Sequence, residues 1–384
     1  MANIIDYLQW RGDIPVSCLP LGEVDALVLS YMAYMPFDGM AGASFAEDIR
    51  LGDAAAALLE NGAKSACMID SGEQDCKLLF EIQKSVRYAD MRVTGYINRL
   101  IVENEEQFSA VTFVPETGPA FVAFRGTDST VVGWKEDFNM SFSGEVPSQR
   151  NAVYYVQEAA RMLDGQLILG GHSKGGNLAA YAGVFCGENV QSRIDCVYNF
   201  DGPGFNESVL SSQEFEQMDM RIHTYVPQSS MIGILMWHAE AFTVVKSDAV
   251  SLFQHNPYTW QVMGGRMITL PQRTRVSRMA EQTLQSWLSE LTAEQRERFI
   301  DGIYDVLSVS DGKNVADLFE PRNIVSILRA VGQMDEQTRE VISEALRLLG
   351  GSVRDLLPGW LDQAAMELRT KIAREKPADR EEKA

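Results

Sequence analysis

Between Met91 and Ser247 the chain switches hydrophobic period repeatedly, and few folds can absorb that alternation. The runs "RVTGYINRLIV", "QFSAVTFV" and "AFVAFRG" read as three strands joined by the polar turns "ENEE" and "PETGP". Helical and extended stretches then take turns. "SQRNAVYYVQEAARML" is helical, "GQLILGG" extended and "KGGNLAAYAGVFCG" helical, while "DCVYNFDGPG", "RIHTYVP" and "FTVVKS" are extended. Strands separated by helices need crossover connections and therefore run parallel. The expectation is an α/β fold: a mostly parallel sheet entered through an antiparallel meander.

Both flanks look helical. "EVDALVLSYMAYM" sets Val24, Leu27, Val28, Tyr31 and Met35 on one face, and Pro36 stops it. Ser44 and Glu47 in "SFAEDIR" form a capping-box pattern, and "GDAAAALLENG" is a short helix with Asp53 near its start and Gly62 just past its end. These N-terminal helices either form a lid or cap over an active site or pack against the sheet edge. Beyond about Met267, "VSRMAEQTLQSWLSELTAEQRERFIDGIYDVLSV" and later stretches carry apolar residues at helical spacing among many charges. The expected organisation is an α/β domain over 1–268, including the N-terminal helices in 1–90, and a helical appendage over 269–370. A tail over 371–384 should be disordered. No internal repeat stands out.

A net charge of −19 argues against nucleic acid and anionic membrane as partners. The five cysteines lack any C-x-x-C pair, which excludes a disulfide scaffold or zinc cluster and suits a reducing compartment. The opening "MANIIDYLQWRGDIP" has neither a basic nor an apolar signal-peptide region, and no run of about 18 apolar residues occurs. The expected location is the cytoplasm.

One turn carries chemistry. Gly171, Ser173 and Gly175 give G-x-S-x-G between the apolar strand "LILG" and the helix "NLAAYAGVF". In a nucleophile elbow the serine sits on a strained strand-to-helix turn, small neighbours allow close chain approach, and the helix N-terminus faces the site. A phosphate-binding loop needs lysine before Ser/Thr, the reverse of what stands here. The remaining rival is a tight turn with an inert serine. His172 adjoins Ser173 but points to the opposite side, so its ring should pack beneath the turn. The N–H of Lys174 occupies the usual oxyanion-donor position, while its ammonium at a helix N-terminus opposes the dipole. A carboxylate or an anionic substrate should offset that charge, unless the side chain is solvated.

"VAFRGTDSTVVGWKEDF" together with "GGHSKGG" resembles the class 3 (fungal-type) lipases, with Trp134 and Asp137 at that family's Trp and Asp positions. More closely, residues 3–265 resemble an uncharacterised bacterial family of lipase-like, Mbeg-like proteins. The matching stretches are "DYLQWRGD" (Asp6 to Asp13), "GHSKGGNLA" (Gly171 to Ala179) and "HNPYTW" (His255 to Trp260). The resemblance implies an α/β-hydrolase fold and makes Thr127 a second oxyanion donor beside Lys174, with Arg125 tying the loop to carboxylates. The base must come from His172, His223, His238 or His255. A histidine on a loop after the last strand fits His255, with His238 as runner-up. The family's acid follows the strand "HTYVP", where this chain has Gln228, Ser229 and Ser230 and no carboxylate. Asp201, after the preceding strand, is the nearest substitute and Asp248 the second choice.

These residues together suggest a serine hydrolase acting on carboxylic, even lipid-like, esters through an acyl-enzyme on Ser173, with no metal or cofactor. The rival is a binding or scaffold protein that kept the fold and lost the chemistry. The C-terminal helices would serve homo-oligomer formation or protein docking.

Overall fold

A computed structural model describes residues 1–67, 71–128, 145–233 and 235–275, together with 133, 136, 139–140, 277–279 and 281–282. Trp134, Asp137, the disordered-tail expectation and nearly all of the C-terminal helical stretch lie outside the described residues. The chain divides into two compact units, the first comprising 1–300 with 313–315. All elements described below belong to that unit.

The strands are β1 (Asp48–Arg50), β2 (Arg92–Ile101), β3 (Glu106–Val114), β4 (Ala120–Phe124), β5 (Leu167–His172), β6 (Ile194–Phe200), β7 (Ile222–Pro227) and β8 (Phe242–Val245). The pairs β9 (Val262–Met263) and β10 (Arg266–Met267) form a separate hairpin, and β11 (Thr269–Leu270) follows. Nine strands make one sheet in the order β1-β2-β3-β4-β5-β6-β7-β8-β11. β1 to β4 pair antiparallel, β4 to β8 parallel, and β11 closes the edge antiparallel to β8. The antiparallel meander leading into a parallel sheet is the α/β fold expected from the period changes. β11 belongs to this sheet, so the α/β unit runs past the expected boundary at 268.

Period-two alternation along the strands separates two cores. Phe121, Ala123 and Ile168 face one side, with the N-terminal helices α1 (Ile4–Arg11), α2 (Glu23–Met32), α3 (Leu51–Glu60) and α4 (Gly72–Gln83). Ala120, Val122, Phe124, Leu167 and Leu169 face the other, beneath α5 (Pro147–Met162) and α6 (Lys174–Phe185). Helix α2 is buried from Val24 to Met32 and lies on the sheet face against β4, β5 and β6. The N-terminal helices therefore cap a face of the sheet, and of the two readings offered for them packing holds rather than a lid. The Ser44–Glu47 pattern closes a turn, not a helix: Glu47 N–H donates to Ser44 O at 3.2 Å, and the next residues form β1 on β2. Pairing with the sheet outweighs the local capping signal.

A buried ion pair joins these helices. Asp25 on α2 and Arg87, after α4, are 1% and 0% exposed at their side chains. All five guanidinium N–H groups find acceptors: Asp25 twice, at 2.7 Å each, and the carbonyls of Ile14, Leu19 and Pro20. Asp25 also accepts from Tyr7 at 2.9 Å, from Tyr88 and from Gly22 N–H at 2.8 Å. Removing one partner strands a buried charge, which costs about 3–5 kcal/mol. Arg87→Leu should lower unfolding stability by that amount in urea titration. A loss within about 0.5 kcal/mol, as for an unremarkable surface change, would contradict this reading of the cluster.

Candidate active site

The C-terminal ends of β4, β5 and β6 open on one edge of the sheet. Ser173 leaves β5 and opens α6 with φ +60° and ψ −136°, a backbone conformation that costs a non-glycine residue about 1–3 kcal/mol. Steric closeness requires the flanking glycines. A Cβ on Gly171 would lie 2.1 Å from Gly175 O, and one on Gly175 would lie 2.1 Å from Phe124 O. Ser173 N–H donates to Phe200 O at 2.9 Å, tying the turn to β6. The Arg125–Thr127 loop after β4 presses on the same turn, since a Cβ on Gly126 would come within 2.9 Å of Ser173 Cβ. Thr127 is buried in that loop. Arg125 pairs with Asp128 at 3.3 Å, the loop-tying contact expected of it.

Asp201 follows β6 with φ +52°, and its N–H donates to Tyr225 O at 2.8 Å. Its carboxylate is fully buried and both oxygens are engaged. Oδ2 meets His255 Nδ1 at 2.7 Å. Oδ1 accepts from Ser230 Oγ at 2.5 Å and from Gly233 N–H at 3.1 Å. With Nδ1 donating to the carboxylate, the neutral imidazole keeps Nε2 as its acceptor.

The turn bearing His255 is braced throughout. Trp260, wholly buried, donates its indole N–H to Gln254 O at 2.7 Å. Asn256 Nδ2 donates to Ser71 Oγ at 2.9 Å. His255 O is 2.7 Å from His172 Nε2, so that nitrogen carries the proton, and Nδ1 accepts from Tyr34 Oη at 3.0 Å. His172 thus sits beneath the elbow, as expected, and links α2's C-terminal flank to the His255 turn. Burial, and then the neighbouring His255 ring at 4.3 Å, hold its pKa well below the ordinary 6.5.

The Lys174 ammonium is not solvated; it is buried 3.0 Å from Glu136, and also donates to Gln107 O at 2.8 Å and Gln107 Oε1 at 3.0 Å. Glu136 further accepts from Gln107 N–H, Ser148 N–H and Ser148 Oγ at 2.8–3.0 Å. A carboxylate therefore offsets the charge that opposes the helix dipole.

A family model described as Mbeg1-like matches residues 82–305. The chain belongs to the Mbeg1-like family. No curated protein matches it in sequence. Among solved structures it is similar to M37 lipase, at 13% identity and a TM-score of 0.36 over 56% of this chain and 70% of that one. It is also similar to the Rhizomucor miehei lipase propeptide complex, at 13% and 0.34 over 58% and 67%. A fungal lipase–inhibitor complex gives 14% and 0.36 over 66% and 89%. The reading of this Mbeg1-like site rests on its own geometry.

Three other candidates stand apart from it. Asp248 accepts from Gln261 and is half-exposed, so it does not serve as the partner of His255. His223 is the exposed residue of an otherwise buried β7. His238, the runner-up base, is paired with Glu240 at 2.7 Å and with Gly233 O at 2.8 Å, which engages both its nitrogens. Among the described residues its hydrogen bonds reach the site through Gly233. Sequence reasoning missed Ser230, Gly233, Gln107, Glu136 and Tyr34. The polar triplet "QSS" just after a buried strand was the one available signal, and it was read only as a missing acid.

In this Mbeg1-like chain His172 is neutral when folded and takes up a proton near 6.5 when unfolded. The unfolded state then binds more protons below that pH, so stability falls as pH drops through 6.5, by up to about 1.4 kcal/mol per pH unit. His172→Gln should remove that portion of the slope between pH 6.5 and 5; equal slopes would refute it. Lys174→Met leaves Glu136 buried and uncompensated and should cost about 3–5 kcal/mol. Adding Glu136→Leu should restore part of the loss, and an additive double variant would sink the pairing.

Proposed function

We propose that this chain is a serine hydrolase that cleaves carboxylic esters. The observation that carries the reading is the 2.7 Å contact between Asp201 Oδ2 and His255 Nδ1 at the strand ends where the strained Ser173 turn stands. In the proposed reaction Ser173 Oγ attacks the ester carbonyl and its proton passes to His255 Nε2. The oxyanion is met by the Lys174 N–H at the start of α6 and by Thr127. Collapse expels the alcohol, which takes the proton back from His255. Water, deprotonated by the same imidazole, then attacks the acyl-enzyme and releases the acid. Every proton is handled by side chains of the site, so the reaction calls for neither metal nor organic cofactor.

Val250 and Phe253, exposed in and just before the turn that carries His255, support an apolar, lipid-like acyl group. No described helix is long and apolar enough to cross a membrane. The rival reading of an inactive scaffold rested on the missing carboxylate after β7 and on the long helical appendage. The Asp201–His255 contact counts against it.

Turnover of p-nitrophenyl butyrate tests the proposal. Ser173→Ala should abolish it, Asp201→Asn should lower kcat by about 10²–10⁴-fold, and Asp248→Asn should leave it unchanged. Retained turnover in Ser173→Ala would refute the mechanism.

A further inference from the structure

The loop after β7 opens without an acid, yet Gln228, Ser229 and Ser230 each make several well-formed bonds. Gln228 Oε1 accepts from Ser247 N–H at 2.7 Å, and its Nε2 donates to Ser247 O at 3.0 Å. Ser229 N–H donates to Gln254 Oε1 at 2.8 Å, one residue before His255. Ser230 spends its single hydroxyl proton on Asp201 Oδ1 at 2.5 Å. The loop is fastened from behind by the segment that follows β11. Thr274 N–H donates to Gln228 O at 2.7 Å, Thr274 Oγ1 lies 3.0 Å from Ser229 Oγ, and Ser277 Oγ donates to Ser230 O at 2.8 Å. Ser230 and Ser277 are both 1% exposed. Arg273, also buried, donates to Ser277 Oγ at 3.2 Å and pairs with Glu281, which fixes the direction in which the Ser277 hydroxyl points.

We propose that Arg273, Thr274 and Ser277 are a working part of the active site, and that Ser277 and Ser230 are positioning residues that set the orientation and charge of Asp201. The proposal rests on the reading of Asp201 as the orienting acid. A carboxylate with one oxygen on His255 can rotate about its Cβ–Cγ bond unless the other oxygen is held. Ser230 and the Gly233 N–H hold it, and Ser277 holds Ser230. A bond from a hydroxyl to a carboxylate also draws negative charge onto Oδ1. Without it more charge rests on Oδ2, the imidazolium of His255 gains stability, and a higher pH is needed to free the base. The titratable side chains in contact with His255 among the described residues are Asp201 and His172, and the latter is buried and neutral. This arrangement makes Thr274 and Ser277 part of what holds the acid, and anything that displaces them would weaken the base.

The test is ester hydrolysis by the full-length protein from pH 5 to 9, with kcat and KM separated, for wild type, Ser230→Ala, Ser277→Ala and Ser230→Thr. Thermal unfolding is followed alongside. Ser230→Ala should lower kcat about tenfold and Ser277→Ala about threefold, as expected for one hydrogen bond to or behind a charged group. KM should be unchanged and the acid limb of the rate profile should move to higher pH, with Ser230→Thr returning both towards wild type. A purely structural role would lower the melting temperature without moving the acid limb. Folded variants with the rate and pH profile of wild type would overturn the proposal while leaving the hydrolase reading intact. A wild type that turns over no ester would overturn both.

Discussion

Ser173 can hold its left-handed backbone only because nothing around it has room to relax. Gly171 and Gly175 bring β5 and α6 to within a methyl group of each other, Gly126 seals the turn from the side of β4, and the Ser173 N–H is tied to the end of β6. The strain is thus maintained by three neighbouring strands at once. Placing the turn at the C-terminal end of a parallel sheet also places Asp201 beside it, since His172 and Phe200 are register partners on β5 and β6.

Around that turn the buried polar groups form connected sets rather than isolated pairs. Arg87 and Asp25 join the N-terminal helices, His172 joins them to the turn of His255, and Glu136 with Lys174 secures the helix behind the nucleophile. Each set is costly to break because the interior offers no replacement solvent for a stranded group. Their common effect is to make the site rigid. The helices that the sequence offered as a lid contribute to that rigidity instead, with α2 buried along the sheet and Tyr34 reaching the ring of His172.

Much of this was legible in the chain. The alternating periods announce the sheet and its helices because a strand buried on both faces must be apolar throughout, as "LILG" and "AFVAF" are. The elbow was legible because close approach leaves only small residues beside Ser173. His255 followed from its place after the last strand of the parallel series. Harder to read were contacts that depend on sequence separation. Nothing local says that Lys174 meets Glu136, 38 residues away, or that Ser230 meets Asp201, 29 residues away. The Ser44–Glu47 pattern misled for the converse reason: a local capping signal yields when the next residues can pair with a sheet edge. Asp201, the carboxylate that meets His255, could be named only as the nearest substitute, because two strand ends open on the same edge and spacing alone does not choose between them.

The central claim is that Ser173 is an activated nucleophile. Reaction with a fluorophosphonate, followed by peptide mass spectrometry, tests it most directly, because such probes react with a serine whose base and oxyanion donors are in place. The account predicts a single adduct on the peptide containing Ser173, absent in Ser173→Ala and strongly slowed in His255→Ala. Folded wild-type protein that forms no adduct, or one formed on another serine, would contradict it.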